Sequence, residues 1–230
     1  MNQRRTTAIV LTRVDYGEAD RILTVLTPDA GKLSLMAKGV RRVKSKLAGG
    51  IELFSTSEIS YIPGRGSIST LVSSRLIRHY GGIVQDIDRT MLGYELIKLL
   101  HKVTEDEPEA DYYELLKQAF SVLDGQTVSV DFTRVWFSAQ LLRLAGHTPN
   151  LQTDVAGVKL LAEKMYRFDY DATAFSDHPE GDYGANEIKF LRLLFSAAQP
   201  EKICSVENAS RYIALSTPLV QTLRQLHLHA

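Results

Sequence analysis

The feature that most limits how this chain can fold is a change of hydrophobic period at Gly81-Gly82. Before it apolar residues alternate, as half-buried strands require; after it they recur every three or four positions, as a helix face requires. The stretch Thr7 to Val14 is rich in β-branched residues, and from Arg21 to Thr27 Ile22, Thr24 and Leu26 alternate with Leu23 and Val25. From Lys32 to Lys38, Leu33, Leu35 and Ala37 face away from Lys32, Ser34 and Lys38. Leu53, Ile59 and Tyr61 share a parity in the next segment, as do Ile68, Thr70 and Val72 in the one after. Asp15-Tyr16-Gly17-Glu18, Thr27-Pro28-Asp29-Ala30-Gly31 and Pro63-Gly64-Arg65-Gly66 supply turn chemistry between these runs.

Beyond the glycine pair, Leu92, Leu96, Leu99, Leu100 and Val103 form an apolar stripe at helical spacing. Tyr112, Leu115, Leu116, Ala119 and Leu123 repeat it, as do Phe132, Val135, Trp136, Ala139 and Leu142, a helix closed by Gly146 and Pro149. Further helices are predicted around 156–167, 186–198 and 207–227, with Thr217-Pro218 splitting the last as an N-cap and N1 pair. The fold class is therefore α+β, β first. Residues 1–80 are expected to form a five-stranded barrel of the oligonucleotide-binding (OB) type, which leaves no sheet edge exposed. Residues 81–230 are expected to form an all-α helical domain. A length of 230 residues accommodates both without disulfide or metal support.

The 27 basic and 27 acidic residues cancel, which alone argues against a nucleic-acid binder. The halves do not share that neutrality: residues 1–80 hold 13 basic and 6 acidic residues, and residues 81–230 hold 14 and 21. The one cysteine, Cys204, excludes an internal disulfide framework and a multi-cysteine metal site. The apolar run after Arg4-Arg5 is too short for a signal peptide, and no run is long enough to span a membrane. A cytoplasmic protein is expected.

From residue 30 to 51 there are six basic residues (Lys32, Lys38, Arg41, Arg42, Lys44 and Lys46) and no acidic one. Gly39 before the cluster and Gly49-Gly50 after it favour a loop. Like charges in one loop repel unless an anion is their partner, and a phosphate backbone fits because each cation neutralises one phosphate and releases its counterion. The plain alternative is a solvated basic loop. The basic half holds only Tyr16, Phe54, Tyr61 and Tyr80 as aromatics, so a broad base-stacking surface is not expected, and binding governed by backbone charge is.

Three stretches resemble the RecO family. They are Asp15-Tyr16-Gly17-Glu18-Ala19-Asp20-Arg21-Ile22-Leu23-Thr24 with Gly31-Lys32-Leu33 and Ala37-Lys38-Gly39-Val40-Arg41-Arg42, then Leu141 to Leu151, and more weakly Tyr166-Arg167-Phe168-Asp169. The resemblance implies a bacterial, nucleoid-associated mediator of recombination and DNA repair; separately, the six dispersed histidines and the lack of a P-loop leave no catalytic constellation, so neither enzymatic activity nor a cofactor is expected. Such a protein binds single- and double-stranded DNA, anneals complementary strands, and assists loading of RecA on strands coated by single-strand-binding protein, together with RecR. By match to the family's basic loop, the DNA-binding residues are Lys38, Arg41, Arg42, Lys44 and Lys46. Arg4, Arg5 and Arg65 are added on charge alone, and Glu18, Asp20 and Arg21 are read as an ion-paired structural turn. Many members carry a four-cysteine zinc module after the Pro-Asn-Leu signature. Here Gln152 to Gly157 has no cysteine, so no zinc is expected.

The second half offers two basic pairs, Lys98/Lys102 and Lys189/Arg192, that could line a groove for the acidic tail of single-strand-binding protein. Asp169, Asp171, Thr173, Asp177 and Glu180 approach a calcium-loop spacing, but Ala174 stands where that loop needs glycine. Two readings compete with the mediator. One is a metal-dependent enzyme using the 169–180 carboxylates on a phosphorylated substrate, and the other is an OB-type nucleic-acid-binding adaptor without annealing activity.

Overall fold

The computed structural model describes residues 3–104 and 110–228. It divides into two compact units, Met1–Gln126 and Thr127–Ala230. This boundary differs from the change of period at residue 81, because the first two helices group with the strands.

In the first unit β1 (Arg4–Tyr16), β2 (Asp20–Thr27), β3 (Gly31–Ala37), β4 (Ser55–Ile62) and β5 (Ile68–His79) close into a barrel of order β1-β2-β3-β5-β4. β4 returns to β1, and β3 with β5 is the one parallel pairing of the barrel. This is the OB-type barrel expected from the alternation. Ala8, Val10, Leu23, Val25, Leu35, Ala37, Ile59, Tyr61 and Leu71 fill its interior. Ile9 and Leu26 pair across β1 and β2 on the outer face, yet both are buried. α1 (Ile87–Val103) contacts β1 and α2 (Ala110–Gly125) contacts β2.

A ring cluster joins helices to barrel. Phe54 lies edge-on to Tyr94 and Phe120 at 5.0 and 5.5 Å, and Phe120 meets Tyr80 at 5.5 Å. Phe54 takes a positive φ of 53° to enter that slot. Gly93 makes room for it, since a Cβ there would stand 2.7 Å from the Phe54 ring. Lys32 is committed to the same junction: its Nζ donates to the Thr104 carbonyl at 2.6 Å and the His101 carbonyl at 3.2 Å, capping the end of α1.

In the second unit α3 (Val130–Leu144) is buried almost all round, as a central helix must be. α4 (Ala185–Leu194), the short α5 (Pro200–Cys204) and α6 (Ala209–His227) contact it. The expectation of an all-α half needs correction. Residues 156–167 are not helical; instead β6 (Asn150–Asp154), β7 (Tyr166–Asp169) and β8 (Ala174–Asp177) form a sheet of order β6-β8-β7. Tyr166 and Phe168 are buried while Arg167 and Asp169 are exposed, a period of two over too few residues to stand out. The split at Pro218 is also corrected. α6 runs unbroken through it because Ile213, Ser216, Leu219, Val220 and Leu223 are buried on both sides, so packing outweighs the lost backbone donor. His227 ends α6 with its ring stacked on His147, centroids 4.7 Å apart; His229 lies outside the described residues.

Candidate nucleic-acid interface

The basic loop is a tongue with two buried roots. Val40 is held in the barrel core just after β3, and Ile51 re-enters it before β4. Between them Lys38, Arg41, Arg42, Lys44 and Lys46 are all exposed, and Val43 stands fully in solvent. The far root is pinned where Ser74 Oγ donates to the Leu47 carbonyl at 2.8 Å. Gly50 permits this approach, since a Cβ there would stand 2.6 Å from Ser74 Cβ.

The near root is held by the β1–β2 turn. Asp20 Oδ1 accepts from the Gly39 backbone N–H at 2.7 Å, where Gly39 takes a φ of +65°. The Arg41 backbone N–H donates to the Ala19 carbonyl at 3.0 Å, and its guanidinium reaches the Gly17 carbonyl at 3.4 Å. Asp15 pairs with Arg21 at 2.7 Å and with Arg41 at 3.4 Å. The Arg21 hydrogen bond, with Arg41 adding to it, holds the Asp15 carboxyl below the usual carboxylate range. Asp20 and Arg21 thus clamp a turn against the loop, while Glu18 is exposed at its tip. Asp15 offsets part of the charge of Arg41. Lys38, Arg42, Lys44 and Lys46 have no ion-pair partner among the described residues.

Strand direction separates the remaining sequence candidates from this loop. Arg4 and Arg5 begin β1, opposite Tyr61 and Ser60 near the end of β4, and Arg65 lies in the β4–β5 turn. Those are the strand ends opposite to the β1–β2 turn and the β3–β4 loop. Arg5 is further committed to Glu58, which also takes Arg75 at 3.1 Å. The hydrogen bond from Arg5, then that from Arg75, lowers the Glu58 pKa.

Sequence spacing does not single out Arg75 and Arg78, because positions three apart on a regular strand face opposite ways. Here Arg75 pairs with Glu58 and Arg78 with Thr56, two residues of one β4 face, because the extra residue Ile77 bulges between them. Arg78 meets Asp124 at 3.2 Å and lies over the Tyr80 ring.

In the second unit no group of three or more metal-ligating side chains forms among the described residues. Asp169 accepts from the Asp171 and Ala172 N–H groups of its own turn, and Asp177 pairs with Lys164. Neither is arranged for metal chemistry. The residues present also do not fit a zinc module: the sheet is held by Phe175 at 6.2, 5.2 and 5.3 Å from Tyr166, Phe168 and Tyr183, and the one cysteine, Cys204, lies on α5. Burial raises the Tyr183 phenol well above its ordinary value. Lys189 and Arg192 do not share a groove. Arg192 is bonded to the Leu151 carbonyl at 2.8 Å, whereas Lys189 borders a cleft of about 390 Å³ with Phe190, Leu193 and Tyr212. Lys98 and Lys102 are exposed on α1. No helix among the described residues is long and apolar enough to cross a membrane.

Residues 1–80 match the family profile described as Recombination protein O N terminal, and residues 84–215 match Recombination protein O C terminal. DNA repair protein RecO of Rhodopirellula baltica is 37% identical over 149 residues, covering 63% of this chain and 54% of the relative. DNA repair protein RecO of Dehalococcoides mccartyi strain 195 is 34% identical over 164 residues, covering 70% and 64%. DNA repair protein RecO of a Roseiflexus species is 34% identical over 170 residues, covering 71% and 57%. The chain thus spans between half and two thirds of the length of these curated relatives.

Proposed function

The chain belongs to the RecO family, and on that premise we propose that it is a recombination mediator of DNA repair that holds DNA by the tongue at one end of its barrel. Lys38, Arg42, Lys44 and Lys46 contact phosphates, and Arg41 adds a cation whose position is set by Asp15 and the β1–β2 turn. The observation that carries this reading is the tongue itself: five exposed cations on a segment rooted at both ends, with no carboxylate of its own. A loop held in place loses little further entropy on binding, which favours a built site over a merely solvated loop. Arg75 and Arg78 extend the cationic surface in part, each offset by a carboxylate. Arg4, Arg5 and Arg65 are secondary, since they stand at the other strand ends.

Single and double strands both present the phosphates this surface takes, and a site that neutralises backbone favours bringing complementary strands together. The protein acts at the nucleoid, without catalysis or cofactor, and assists RecA loading with RecR. The tail of single-strand-binding protein, acidic and apolar, calls for a cation beside apolar walls. Lys189 with Phe190, Leu193 and Tyr212 offers that combination, although Glu207 lines the same cleft.

The test is annealing of labelled complementary strands, with and without single-strand-binding protein. Faster annealing without covalent change is expected, and it is lost when Arg42, Lys44 and Lys46 are changed to Glu together. DNA binding without faster annealing would leave an adaptor, and cleavage with magnesium or manganese would indicate an enzyme.

A further inference from the structure

Of the four aromatic residues in the barrel half, Phe54, Tyr61 and Tyr80 are buried at 2%, 3% and 1% exposure, whereas Tyr16 is 55% exposed. It closes β1 at the turn that grips the tongue. Its neighbour Gly17 offers its carbonyl to Arg41, and Asp20, opposite Tyr16 in the β1–β2 register, takes the Gly39 N–H. An exposed ring is thus carried on a hairpin that is hydrogen-bonded to the root of the cationic tongue. The other half-exposed ring of the first unit, Tyr94, leans on Phe54 at 5.0 Å, while no ring or cation contact engages Tyr16 among the described residues. A cationic track beside a free aromatic face is what a single strand requires, because phosphates take the charge and an unpaired base takes the ring.

We propose that Tyr16 is a base-stacking residue, so that the tongue end of the barrel selects single strands over duplex. This rests on the DNA reading above and deepens it. Stacking engages the face of a base and leaves its hydrogen-bonding edge open to a complementary strand. Once the duplex forms, that face is covered by neighbouring base pairs and the Tyr16 contact is lost. Only the phosphate contacts then remain, and the annealed product is held less tightly than the strand that entered.

The test is fluorescence anisotropy with the full chain at fixed salt, using a labelled oligothymidylate, an abasic strand of equal length, and a duplex. Tyr16→Ala is expected to weaken oligothymidylate binding by about 5- to 150-fold, the range of one lost base stack. Duplex and abasic binding should change less than about twofold, with the salt slope unaltered. Tyr16→Phe keeps the ring and should bind as the parent does. In Tyr16→Trp the exposed indole should be quenched by oligothymidylate and not by the abasic strand, which serves should the alanine variant fold poorly. Equal losses for single strand and duplex, or parental affinity for the abasic strand equal to that for oligothymidylate, overturn the proposal. Failure of the underlying DNA reading looks different: Arg42→Glu with Lys44→Glu would then leave binding of all three ligands unchanged.

Discussion

Lys32 and Lys44 belong to the same carboxylate-free basic run, yet their surroundings give them different roles. Lys32 caps α1 through the Thr104 and His101 carbonyls, whereas Lys44 stands exposed on the tongue. Lys32→Ala should therefore cost about 1 kcal/mol of stability, read by urea denaturation, and leave the salt dependence of DNA binding unchanged. Lys44→Ala should do the reverse. Gly93 gives a second contrast. Alanine in place of a glycine inside a helix ordinarily stabilises by up to about 1 kcal/mol. Here the new Cβ would stand 2.7 Å from a Phe54 ring already held at positive φ, so Gly93→Ala should destabilise by about 1–3 kcal/mol in the same measurement. Both roles depend on partners distant in sequence. The periodicity that placed Leu92 and Leu96 on the buried face of α1 carries no trace of Phe54.

At the scale of elements, the strands of the barrel were legible as strands, though not in every parity: Ile68, Thr70 and Val72 share one in β5, yet Ile68 and Val72 are exposed and Leu71 between them enters the core. The β6–β8 sheet was not legible, because its strands are four or five residues long and are set by a ring cluster rather than by pattern. That cluster bears on stability directly. Phe175→Ala should cost about 3–5 kcal/mol by thermal or urea unfolding, while saturating chelator should leave the melting temperature of the parent unchanged. Melting lowered by chelator, or stoichiometric zinc by elemental analysis, would show a metal in a role here given to aromatic packing. The Ile77 bulge marks another limit of sequence reading. Arg75 and Arg78 share a face only because one extra residue is inserted between them, and the insertion shows in strand register rather than in residue identity.

On the scale of the whole molecule, the cancelling charge of the sequence resolves into a narrower arrangement. The acidic excess after residue 80 is not spread over the helical half: residues 81–126 hold 10 acidic and 4 basic residues, against 11 and 10 in residues 127–230. The acidic excess therefore falls between residues 81 and 126 of the sequence, four of its ten carboxylates within 105–109, outside the described residues. On the proposed function, the tongue is the part of the first unit that takes phosphate. Sequence charge revealed the basic half, and the fold reveals which of its cations are free, which cap a helix and which are paired.

The measurement that tests this account most directly is the salt dependence of affinity for a single-stranded oligonucleotide. With four unpaired cations and Arg41 in contact, log affinity should fall against log salt with a slope of about −3 to −4. Changing Arg42, Lys44 and Lys46 to Ala should bring the slope to about −1 to −2, since each lost phosphate contact removes about 0.7. A nearly flat titration in the parent, or a steep slope that the triple variant retains, would contradict the tongue as the DNA-binding surface.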